Sequence, residues 1–160
     1  MNIENKKQYY DITLRQLKGL VQGERDWLAN SANAAALLFN TMKDINWSGF
    51  YFYREDQLIL GPFQGKPACI RIDLGKGVCG TAAQKRKTII VEDVHKFPGH
   101  IACDSASNSE IVVPIIKEDK LIGILDIDSP VFNRFDEVDG KYLEEFVKIF
   151  KEHCHWDVFL

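Results

Sequence analysis

The stretch SEIVVPIIKEDKLIGILDIDS, residues 109–129, decides the fold. Two runs rich in β-branched residues, SEIVVPII and KLIGILDIDS, flank a charged cluster, and this pattern predicts a hairpin turning at Glu118-Asp119. Side chains alternate along a strand, so Glu110 shares a face with Val112 and Pro114, and Asp126 shares one with Asp128. If Lys117 pairs with Leu121 across a three-residue loop, Glu110 falls opposite Asp128 and three carboxylates gather on one face. Pro114 offers a place for a bulge, which would shift that register by one. Acids at strand ends are ordinarily solvated. Asp126, however, interrupts the apolar run LIGILDI, where an unpaired buried carboxylate is costly. Clustered carboxylates repel one another, so at least one keeps a proton near neutral pH and can act as an acid. The same cluster suits an ammonium ligand.

Working outward, WSGFYFYRE (47–55) and QLILGPFQG (57–65) read as a second hairpin, closed near Glu55-Asp56. Within it Trp47 and Tyr51 share a parity and could wall a pocket. ACIRIDL (68–74) and TIIVEDV (88–94) read as further strands, separated by the glycine-rich turn and short helix GKGVCGTAAQKRK. Residues 3–22 carry Ile3, Tyr10, Leu14, Leu17 and Val21 at helical spacing. NSANAAALLFNTM predicts a second helix capped by Asn30 or Ser31. The closing FDEVDGKYLEEFVKIFKEHC predicts a helix capped by Asp136, with Val138, Tyr142, Phe146, Ile149 and Phe150 as its apolar stripe. Helices at both ends around an antiparallel sheet make an α+β fold. No repeat or linker interrupts the chain, so residues 1–160 are expected to form one domain.

A hydrophobic share of 46%, a charged share of 27% and a net charge of -3 are ordinary globular values. They give no general attraction to nucleic acid or an anionic membrane, so small-molecule or protein partners are expected. With no stretch suited to a signal peptide or a bilayer span, the expected compartment is the cytoplasm, where disulfides are catalytic or sensing. That bears on four cysteines, Cys69, Cys79, Cys103 and Cys154. Cys103 lies in the long irregular stretch HKFPGHIACDSASN, near His95 and His100, a setting that suits a thiolate nucleophile. A nucleophile with resolving partners fits two-step redox chemistry through a sulfenic acid and a disulfide. Cys154, at the chain end, reads as a small buried hydrophobe. Zinc is the competing use of Cys69, Cys79 and Cys103 with His95 or His100, but their separations match no standard motif. GKGVCG lacks the Lys-Ser/Thr of a phosphate-binding loop. Neither metal nor cofactor is expected.

Taken together, NWSGFYF, GPFQGKPACIRI, GKGVCGTAA, VEDVHKFPGHIACDSASNSEIVVPI and GILDIDSP resemble the free methionine-(R)-sulfoxide reductases, a family of GAF-domain enzymes. The resemblance spans nearly the whole chain. It implies a sheet of about six antiparallel strands flanked by helices, with the terminal helices packed together, and homodimers joined through those helices. It also implies a nucleophile at Cys103, a main resolving thiol at Cys69, an alternative one at Cys79, substrate-site acids at Glu110, Asp126 and Asp128, and aromatic pocket residues at Trp47 and Tyr51. The implied reaction reduces free L-methionine-(R)-sulfoxide, with recycling by thioredoxin or a similar dithiol. The competing expectation is a non-catalytic GAF sensor of a small molecule or of redox state, since one fold hosts many functions.

Overall fold

Hydrophobic alternation along the two hairpins builds the centre of the molecule. A computed structural model describes residues 1–100 and 104–160. The first hairpin is β1 (Trp47–Arg54) with β2 (Gln57–Gly65), and the second is β5 (Ser109–Lys117) with β6 (Lys120–Ser129). Both turn on a Glu-Asp pair in the left-handed region, Glu55-Asp56 and Glu118-Asp119. Two consecutive positive φ values match the twist of a two-residue hairpin loop. Short strands β3 (Arg71–Asp73) and β4 (Ile89–Val91) close the edges, giving the antiparallel order β3-β2-β1-β6-β5-β4.

Among the described residues four α-helices cover the sheet: α1 (Ile3–Val21), α2 (Trp27–Thr41), α3 (Gly77–Lys85) and α4 (Glu137–Glu152). One sheet face packs Phe50, Phe52, Ile111, Val113, Leu125 and Ile127 against α1, α2 and α4. The opposite face packs Tyr51, Val112 and Ile124 against Val78, Ala82 and Ala83 of α3. The terminal helices meet through Tyr10 stacked on Tyr142 at 5.0 Å and through Lys6 bonded to Asp136 and Asp139. As expected, Asp136 caps α4, and Asp139 completes a capping box with it. No helix among the described residues is long and apolar enough to cross a membrane.

Three local expectations are corrected. The α2 helix starts earlier, capped by Asp26, whose side chain accepts from Ala29 N; Asn30 and Ser31 are buried inside the helix. The strand after Cys69 is only three residues long and begins two residues beyond the cysteine. The second hairpin turns on two residues, pairing Lys117 with Lys120, and its bulge lies between Ile115 and Ile116 rather than at Pro114. The shorter turn moves the register one way and the bulge moves it back. Glu110 therefore still faces Asp128.

Candidate active site

The register of the three central strands brings the acids together. Trp47 of β1 pairs with Asp128 of β6, which pairs with Glu110 of β5; one step on, Gly49 pairs with Asp126, which pairs with Val112. All these side chains face α3. Glu110 and Asp126 are only 5% and 6% exposed, and Asp128 is half-buried. Gly49 makes room beside them, since a Cβ there would lie 2.3 Å from Phe63 Cβ and 2.7 Å from the Trp47 ring. Trp47 then stacks against Phe63 at 5.2 Å and Tyr51 at 6.0 Å, forming an aromatic wall.

That wall also holds the loop carrying Cys69. Trp47 Nε1 donates to Lys66 O at 3.0 Å and Tyr51 Oη donates to Cys69 O at 2.8 Å. Cys69 is disulfide-bonded, whereas Cys79 and Cys154 carry free thiols. The expectation for Cys103 falls outside the described residues. Cys79 sits in the first turn of α3 rather than in the preceding turn, with its Sγ 3.6 Å from Glu110 Oε1. Close packing of Gly80 aims it there: a Cβ on Gly80 would lie 2.3 Å from Asp73 O, so the start of α3 rests directly on backbone. Cys154 is remote, buried in the helical core where Asn30 Nδ2 donates to its sulfur.

A cavity of about 50 Å³ opens among these groups, lined by Trp47, Tyr51, Cys79, Glu110, Asp126 and Asp128. The reading from sequence set His100 near Cys103 but left Lys66, Lys76 and Asn46 of its rim unnamed. His100 Nε2 approaches Glu110 Oε2 at 4.0 Å, and Lys66 and Lys76 stand at the edge. Asn46 ties the far side by donating to Asp104 Oδ2 and Ser107 Oγ, each at 3.1 Å. Nothing in a one-dimensional pattern marks Asn46, because its partners lie about sixty residues away. His95, the other histidine considered, is exposed and pairs with Asp93 on the surface.

Burial without compensation sets the electrostatics. Among the described residues no lysine or arginine pairs with Glu110, Asp126 or Asp128. Burial, then the charges of Asp126 and Asp128, pushes Glu110 well above the usual carboxylate range. Burial, then Asp126, does the same to Asp128. Burial raises Asp126 to about 6, with bonding to Glu110 and Cys79 pulling the other way. The Cys79 thiol is driven up by burial and by the neighbouring acids, and burial, then the charge of His95, holds His100 below its ordinary value. The trio thus shares protons at neutral pH. It can accept an ammonium and can also donate a proton to an oxygen on the bound molecule. Asp126 Oδ1 is buried with no hydrogen-bond partner among the described residues, an acceptor that a ligand would satisfy.

Known proteins share this arrangement of chain. Residues 29–150 match the GAF domain family. The free methionine-R-sulfoxide reductase of Escherichia coli is 52% identical over 143 residues, covering 89% of this chain and 87% of its own. The fRMsr of Staphylococcus aureus, solved in complex with substrate, superposes with a TM-score of 0.87 at 51% identity, covering 90% of this chain and 94% of its own. The free methionine-R-sulfoxide reductase of Neisseria meningitidis, also solved with its substrate, superposes with a TM-score of 0.87 at 47% identity over 90% of this chain and 87% of its own.

Proposed function

Because the chain belongs to the GAF-domain free methionine-R-sulfoxide reductases, we propose that it reduces free L-methionine-(R)-sulfoxide to methionine in the cavity under α3. The observation that carries the chemistry is the buried acid trio beside an aromatic wall, with no basic side chain paired to it among the described residues. The substrate's methyl group packs on Trp47 and Tyr51, and its ammonium takes the place of the missing cation. Its carboxylate faces the first turn of α3, where Lys76 supplies no side-chain cap and Lys66 and Lys76 stand at the rim. A protonated member of the trio donates to the sulfoxide oxygen, making sulfur electrophilic. The Cys103 thiolate attacks that sulfur, methionine leaves, and the oxygen remains on Cys103 as a sulfenic acid. Cys69 then attacks, releasing water and forming the disulfide, which thioredoxin or a similar dithiol reduces. That Cys69 is disulfide-bonded supports a redox role for it. Cys79, whose thiol is held protonated among the acids, is the slower alternative resolving group. A protein-bound methionine sulfoxide brings peptide bulk and no free ammonium, so the pocket rejects it.

The apolar residues Ile3, Ile12 and Leu20, exposed on α1, support pairing of two chains through the terminal helices. The reduced thiols that the cycle requires fit the cytoplasm. The test is turnover with both sulfoxide epimers and excess dithiol. Wild type consumes the R epimer repeatedly, and Cys103→Ser consumes none, because a serine hydroxyl without an activating base is a poor nucleophile. Cys69→Ser releases about one methionine per site in a burst and then turns over only slowly with thioredoxin, as the protonated Cys79 is left to resolve the sulfenic acid. Near-normal turnover by Cys103→Ser would overturn the assignment. A single oxidation with no repeated consumption would instead identify a sensor.

A further inference from the structure

The reaction uses Glu110 and Asp126 as acids, but their joint geometry with Cys79 has a second use. The Cys79 sulfur and one carboxylate oxygen from each of Glu110 and Asp126 lie within 4.8 Å of one another, and all three residues are buried. The Cys79 Sγ to Glu110 Oε1 separation is 3.6 Å. A tetrahedral zinc with bonds of about 2.3 Å to sulfur and about 2.0 Å to oxygen requires an S···O edge of roughly 3.5 Å. Two corners of such a site are already at the right spacing. Independently, Asp126 Oδ1 is buried and has no hydrogen-bond partner among the described residues. Three donors facing a small cavity leave a fourth position open, as in zinc sites that exchange a ligand.

We infer that Cys79, Glu110 and Asp126 bind one thiophilic divalent cation of the zinc class, with a fourth ligand from the cavity, and that the ion and the substrate exclude each other. The thiolate selects zinc, cobalt or cadmium over magnesium and calcium, which prefer oxygen-only sites. The cation replaces the protons shared by the three groups and occupies the place where the substrate ammonium and sulfoxide oxygen bind. It is a competitive inhibitor rather than a participant in turnover. Exclusion by the substrate rests on the function proposed above; binding of the ion does not.

The experiment titrates the disulfide form of the protein, in which Cys69 offers no thiol, with Co²⁺ and follows thiolate-to-cobalt charge transfer in the near ultraviolet. Wild type takes up one equivalent, Zn²⁺ displaces the cobalt, and excess Mg²⁺ does not. Cys79→Ser removes the band. Asp126→Asn weakens binding by more than the roughly 10–100-fold that losing an outer-shell partner costs. Cys154→Ser, away from the site, leaves the titration unchanged. Thermal melts of each variant separate loss of the site from loss of the fold, and Cys79→Ala is the second variant if Cys79→Ser melts early. Absence of the band at millimolar Co²⁺, its survival in Cys79→Ser, or its loss in Cys154→Ser overturns the inference. Metal-free turnover is measured in parallel. Protein that binds cobalt but consumes no sulfoxide keeps this inference and rejects the function, and the converse result does the reverse. Excess L-methionine releases the cobalt if the two share the pocket, and retention of the metal overturns the exclusion.

Discussion

The molecule buries carboxylates in two places, on opposite sides of the sheet, and treats them in opposite ways. Asp139 in α4 is fully buried, yet Lys6 Nζ lies 2.6 Å from Oδ2, Tyr10 Oη donates to Oδ1 at 2.6 Å, and Arg134 stands 3.5 Å away. Glu110 and Asp126 are almost as deeply buried, but the described residues give them a thiol and a distant histidine instead of a paired base. A compensated acid joins two helices. An uncompensated one stores a demand for a ligand or a proton. Burial alone therefore does not distinguish a structural acid from a functional one; the partners do.

The largest test of this contrast is Asp139→Asn. It takes the closest partner from the Lys6 ammonium, which keeps only Asp136 at 2.9 Å, so stability should fall by about 1–3 kcal/mol, the scale for a buried polar group that loses a partner. Activity per folded molecule should be unchanged. Chemical denaturation with a turnover assay on the same samples reads both, and a stable Asp139→Asn would break the comparison.

Asp126→Asn should show the reverse pattern. Turnover falls by a factor on the order of 10², the scale of a lost general acid, while stability at pH 7 holds or rises. Asp56→Asn, in the first hairpin's exposed turn, is the control for both readings. A sharp loss of melting temperature with intact activity would make Asp126 structural.

The pH dependence of stability sharpens the contrast, because the two sites differ in sign. Asp126 holds its proton up to about pH 6 in the folded chain, against 3.8 as its ordinary value. The folded state then binds more protons than the unfolded one between about pH 4 and pH 6. Stability from Asp126 is present at low pH and falls as pH rises through that window, by on the order of 3 kcal/mol. At the other site, burial works to raise Asp136, but bonding from Lys6 and from the Asp139 and Val138 amides outweighs it and lowers its pKa. Its contribution is present above the ordinary carboxylate value and is lost as pH falls below it. Denaturation midpoints across pH should therefore show Asp126→Asn removing slope between pH 4 and 6, and Lys6→Met removing slope only at the acid end.

The smallest effect concerns Tyr51. Tyr51→Phe removes the bond to Cys69 O, a loss of about 1 kcal/mol, and loosens the loop that presents the resolving cysteine. Thioredoxin-supported turnover should fall a few-fold while the first equivalent of methionine is released normally. Equal loss in both would assign Tyr51 to substrate binding alone.

Much of this was legible in the chain. Alternation in residues 109–129 placed Glu110, Asp126 and Asp128 on one face, and the Glu-Asp pairs marked both hairpin turns. The predicted Glu110–Asp128 pairing is correct although the predicted route to it is not, since a two-residue turn and a bulge past Ile115 cancel. Asp26 as the α2 cap was hidden because Trp27 and Leu28 break the run of small residues that marks the helix. The metal inference could not have come from spacing, because Cys79 and Glu110 are 31 residues apart and meet only when α3 seats on the sheet.

By itself, then, the sequence determined the strands, their turns and which acids share a face, since these follow from periods of two and 3.6 residues that act over short distances. Only the tertiary structure decided which buried acids find a partner. Lys6 reaches Asp139 across 133 residues because α1 lies on α4. Asp126 faces Cys79 and the cavity because α3 closes the other side of the sheet and brings no base to it. Desolvation and charge depend on everything within a few ångströms in all directions, and that neighbourhood exists only once the layers have packed.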